Sequence, residues 1–128
     1  MTEYVDKDVQ RLLHMIEGIK RLGRMLAGKV KDDFLYDEVL QSAASFEVST
    51  IGESAARISE ELQAKHPEIP WGKMRGLRNR LVHIFDYEQI DYDILWTVAV
   101  AELPGLEAGL RKVLTSIPLP PDFTLPEV

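Results

Sequence analysis

The chain contains no cysteine, which excludes disulfides, thiolate metal sites and a cysteine nucleophile, and which suits a reducing compartment. It also lacks any apolar run approaching the ~20 residues needed to span a bilayer. Its first residues, Met1-Thr2-Glu3-Tyr4-Val5-Asp6, have neither the basic start nor the apolar core of a signal peptide. A cytoplasmic location is therefore the expectation. Positive charge is in deficit: 15 Lys and Arg stand against 21 Asp and Glu, a net charge of −6, which argues against a general nucleic-acid coat. No window alternates apolar and polar residues with period two, so strands are not expected. What remains is 128 residues, 45% of them hydrophobic, enough for a single core that needs no covalent staple.

The apolar spacing predicts helices. Val5, Val9, Leu12, Leu13, Ile16, Ile19 and Met25 recur every three to four residues, giving a first helix over Val5–Leu26 that ends near Gly28. A second, long helix is predicted from about Tyr36 to Lys65, with Asp32 and Asp33 as candidate caps and His66-Pro67 as its end. Its small residues (Ser42, Ala43, Ala44, Ser45, Gly52, Ser54, Ala55 and Ala56) imply a close neighbouring helix, either within the bundle or across a dimer seam. Pro70 suits the first turn of a third helix running to about Phe85. A fourth begins near Asp91 or Tyr92, reaches about Thr115, and should kink or divide at Pro104. Ile117-Pro118-Leu119-Pro120-Pro121 opens a proline-rich stretch. The expected architecture is an all-α, up-and-down four-helix bundle over residues 1–116, with an extended tail over 117–128. Tyr36 and Phe46 are assigned to packing.

The third helix carries the polar chemistry. From Trp71 to His83 it holds Lys73, Arg75, Arg78 and Arg80 and no acid, a basic island able to bind a phosphate locally. At 100° per residue Met74, Leu77, Leu81 and Phe85 form one apolar stripe. Arg75, Asn79 and His83 follow at i, i+4 and i+8 on the other side, and Arg78 lies between the faces. An exposed row of guanidinium, amide and imidazole suits phosphoryl chemistry on RNA, which carries its own 2′-hydroxyl nucleophile. Histidine can move a proton at neutral pH, and arginine can hold phosphate oxygens and oppose developing charge. Alone, these residues read more often as a solvated helix face.

Leu77-Arg78-Asn79-Arg80-Leu81-Val82-His83 resembles the R-x4-H motif of HEPN domains. Its flanks, His66-Pro67-Glu68-Ile69-Pro70-Trp71, Ile90–Trp96 and Glu102-Leu103-Pro104, resemble those of HepT-like proteins at matching distances, and Ile51-Gly52-Glu53-Ser54-Ala55 is similar to that family's second-helix signature. The likeness covers about Val5 to Leu114. It implies Arg78 and His83 as a catalytic pair supported by Asn79, with Lys73, Arg75 and Arg80 binding RNA. It further implies a homodimer that brings two motifs into one cleft, chemistry without metal or cofactor, and a toxin silenced by a small nucleotidyltransferase antitoxin of the MntA kind. In the family that partner adds AMP to a tyrosine two residues after the histidine. Here that position is Phe85, so Tyr87 is the nearest phenol and the candidate modification site.

A non-catalytic module that binds the transferase or its substrate is the alternative reading, and Phe85 leaves room for it. A di-iron bundle fits poorly: His14 and Glu17 stand in the wrong order, His66 abuts a helix-ending proline, and His83 has no carboxylate three residues before it. His14 is expected to pack or hydrogen-bond along its helix, and His66 to belong to the loop. Trp71, Tyr92 and Trp96 offer stacking faces, but aromatics among apolar residues at helical spacing usually fill core or interface.

Overall fold

The computed structural model describes the backbone of residues 2–82, 91–119 and 121, and all their side chains except those of residues 2–6, 78, 81 and 82. His83, Phe85 and Tyr87 lie outside the described residues, as do the side chains of Arg78 and Leu81 and most of the C-terminal stretch beyond Leu119.

Among the described residues there are helices and no strand. They are α1 (Thr2–Leu26), α2 (Lys31–Leu35), α3 (Glu38–Arg57), α4 (Glu60–Lys65), α5 (Trp71–Val82), α6 (Tyr92–Thr97), a π-helical segment (Val98–Glu102), a 3-10 turn (Pro104–Leu106) and α7 (Glu107–Ser116). The helix α1 lies against α3, α7 and the π segment, and α5 lies against α3. The core between them holds Leu12, Met15, Ile16 and Leu22 from α1, Val48, Ile51 and Ala55 from α3, Met74 and Leu77 from α5, and Leu95, Leu103, Leu110 and Val113 from the last elements. Burying each large aliphatic side chain stabilises the fold by about 1.5–3 kcal/mol before entropy is counted. Close approach of α1 and α3 depends on Gly18, where an added Cβ would fall 2.9 Å from Ile51 Cγ1. No described helix is long and apolar enough to cross a membrane.

The helix predicted over Tyr36–Lys65 is instead two, α3 and α4, and the short α2 precedes them. Asp33 accepts from the Val30 backbone N–H at 2.9 Å and serves α2, while Asp37 caps α3 by accepting from Leu40 N at 3.0 Å. The break, at Ile58–Ser59, is imposed by α1. There the buried Asp8 carboxylate accepts from the Ser59 backbone N–H at 2.9 Å and from its hydroxyl at 2.6 Å. Ser59 Oγ in turn accepts from Leu62 N at 3.2 Å and so starts α4. Arg11 donates to the Arg57 carbonyl at 2.8 Å, satisfying an oxygen left over at the end of α3.

Packing assignments for two side chains are corrected. Tyr36 is 88% exposed because it stands in the break between α2 and α3. Phe46 is 66% exposed because it projects from the side of α3 opposite Ala44, Val48 and Ala55. His14 is exposed, leaving α1 on the side away from Leu12. Pro104 divides the fourth predicted helix as expected. Just before it, Leu103 N donates to Val98 O at 2.9 Å, a π-type bond spanning five residues. Phe34 fills the space beneath α6, with its ring 6.2 Å from Tyr92 and 5.5 Å from Trp96. Ile117 is buried, Leu119 packs against the core, and Pro118 and Pro121 are exposed.

Candidate functional site

The helix α5 is anchored at its start. The Pro70 carbonyl accepts the first helical bond, from Met74 N at 3.0 Å, which places Pro70 just before the helix and its missing N–H where none is needed. Trp71 is buried, and its indole N–H donates to the His66 carbonyl at 2.9 Å, so this aromatic is a packing residue. His66, in the loop, contacts Ser116 Oγ at 3.1 Å and Glu68 Oε2 at 3.2 Å and ties the α4–α5 connection to the end of α7. From this fixed start, 100° per residue carries Met74 and Leu77 into the core and leaves Arg75 and Asn79 exposed on the other side. The Arg78 backbone lies in the helix between the two faces.

The cations expected to form one island separate into two groups. Arg75 Nη1 donates to Gln63 Oε1 of α4 at 2.6 Å. Lys73 and Arg80 sit on the other flank, where both reach Oε1 of Glu102, at 3.2 Å and 3.4 Å. Trp71–His83 contains no acid, but the chain folds the π segment back onto α5 and supplies one. Partial burial is the largest single influence on Glu102 and raises its pKa. The hydrogen bonds and charges of Lys73 and Arg80 together outweigh it and hold the carboxyl below its ordinary 4.5. Beside this triad lies an open cavity of about 120 Å³ lined by Pro70, Lys73, Met74, Leu77, Glu102, Leu103 and Leu106. It is smaller than sites that enclose a nucleotide-sized ligand, typically about 300 Å³ or more. This flank can thus meet a phosphate from outside.

Sequence reasoning missed Glu102 as a partner of the basic residues, and Gln63 as the acceptor for Arg75. The available signal for Glu102 was faint: an acid shortly before a helix-dividing proline. Among the described residues, no group of three or more His, Asp or Glu side chains gathers as metal ligands would.

Residues 15–113 match the family described as Ribonuclease HepT-like. The chain is 30% identical over 103 residues, 80% of its length and 90% of the relative's, to "Putative RNase TTE0752" of Caldanaerobacter subterraneus. It is 33% identical over 82 residues, 64% of its length and 73% of the relative's, to "Probable ribonuclease HepT" of Thermococcus cleftensis. No solved structure matches the chain.

Proposed function

Because the chain belongs to the HepT-like ribonuclease family, we propose that it is an endoribonuclease that cleaves RNA without metal, using Arg78 and His83. The observation that carries this reading is the family match over residues 15–113, supported by α5, whose start is anchored by Trp71 and whose Arg75 and Asn79 side chains are exposed. In this scheme one histidine takes the proton from the 2′-hydroxyl, whose oxygen attacks the adjacent phosphorus. The bond to the 5′-oxygen breaks, that oxygen takes a proton from the protonated imidazole of the dimer's second motif, and the products are a 2′,3′-cyclic phosphate and a free 5′-hydroxyl. The Arg78 guanidinium opposes the charge that builds on the non-bridging oxygens, and Asn79 supports the pair. Arg75 adds positive potential on the exposed side.

The working unit in this reading is a homodimer that faces two motifs across one groove, with a MntA-like nucleotidyltransferase as the restraining antitoxin partner. Such a transferase would have Tyr87, not residue 85, as its nearest acceptor for AMP, since Phe85 has no hydroxyl. Expression of the chain alone should arrest growth and yield RNA fragments ending in 2′,3′-cyclic phosphate. His83→Ala and Arg78→Ala should each abolish both effects while circular dichroism shows the helical fold intact. Retained cleavage by both variants would defeat the assignment.

A further inference from the structure

The triad of Lys73, Arg80 and Glu102 resembles a phosphate site that is already filled. One carboxylate oxygen bridges an ammonium and a guanidinium carried seven residues apart on α5, as a phosphate oxygen would. The cationic ends are the exposed members, with side chains 62% and 39% accessible, whereas the Glu102 side chain is 26% accessible. Glu102 ends the π segment closed by the Leu103 N to Val98 O bond. The cations, as the more exposed members, are the ones that a ligand arriving from solvent meets first. The two contacts, at 3.2 and 3.4 Å, are longer than the 2.6 and 2.9 Å bonds of the buried Asp8 cluster. Each engages one donor of a group that owns three, for lysine, or five, for arginine.

We infer that Glu102 occupies the place of an RNA phosphate on Lys73 and Arg80, so that RNA gains these two cations only by displacing its carboxylate. The inference rests on the ribonuclease reading for the identity of the ligand. Glu102 is a residue that sets how tightly this flank holds the backbone, and it takes no part in bond breaking. Its depressed pKa keeps the competitor charged throughout the physiological range. An acidic chain thereby carries basic residues whose attraction for RNA is attenuated from within.

The test is binding of the full chain to a short single-stranded 2′-O-methyl RNA, which lacks the nucleophile and stays uncut, measured by fluorescence anisotropy across a salt series. Glu102→Gln should bind about two- to fivefold tighter at low salt, the range expected for freeing partly exposed ion pairs. Its log–log salt dependence should steepen by about 0.7 for each phosphate newly engaged. The gain should vanish when Lys73→Gln and Arg80→Gln are also present. Glu60→Gln, an equal charge change on the exposed first turn of α4, serves as the control for net charge. Unchanged or weaker binding by Glu102→Gln overturns the inference. So does a gain matched by Glu60→Gln, or one that survives loss of Lys73 and Arg80. Cleavage of unmodified RNA by the wild type and by His83→Ala is read separately, so a failed nuclease assignment and a failed phosphate competition give different patterns.

Discussion

Two acidic side chains organise separate clusters of this molecule, and the contrast between them separates architecture from adjustable chemistry. Asp8 is buried and accepts two short bonds from a single residue, Ser59, across 51 positions of sequence. Glu102 is partly exposed and shares one oxygen between two long side chains whose charged ends reach solvent. Both are carboxylates facing donors. Burial makes the first costly to disturb, because its partners would lose their acceptor where water does not readily replace it. Exposure makes the second cheap to rearrange, because water and salt offer substitutes.

The comparison breaks most visibly at Asp8. Asp8→Ala should destabilise the fold by about 2–3 kcal/mol in urea denaturation, since two buried donors on Ser59 are orphaned. A loss below roughly 0.5 kcal/mol would place the junction among ordinary surface contacts. Ser59→Ala should cost less, about 1–2 kcal/mol, because the backbone donor to Asp8 survives and only the hydroxyl and the α4 cap are lost. At Glu102 the effect should be smallest. Glu102→Gln should change stability by less than about 0.5 kcal/mol near neutral pH. Its pH signature has a definite sign. The folded-state pKa lies below the ordinary 4.5, so the stabilisation is complete above that value and fades as pH falls through the lower folded one. The glutamine variant should lose that acid-side component, seen as a smaller difference from wild type at pH values below 4 than near 7.

These two clusters also mark where the sequence was legible. The first helix could be read from apolar spacing alone, since Val9, Leu12, Ile16 and Ile19 are all buried. The division at Pro104 followed from a ring that cannot donate or fit within a helix. The break at Ile58–Ser59 could not be read, because neither residue is a breaker and its cause sits on α1. Tyr36 and Phe46 were misplaced for a related reason: their apolar character was taken as burial, whereas the backbone turns them outward. On α5 the exposed and buried faces emerged from periodicity, with Arg75 and Asn79 opposite Met74 and Leu77. The family could be recognised from the R-x4-H motif together with the spacing of its flanks. Glu102 escaped notice because a charge window read along the chain contains no information about what folds over it.

The widened turn at Val98–Glu102 has an evolutionary corollary. A π turn houses one residue more than the α turn it interrupts, so it behaves as an insertion absorbed without unwinding the helix. Removing a single residue there would restore ordinary winding and rotate position 102 by about a quarter of a turn relative to what precedes it. Related chains that differ in length by one amino acid at this point would then share the bundle yet aim this side chain away from α5.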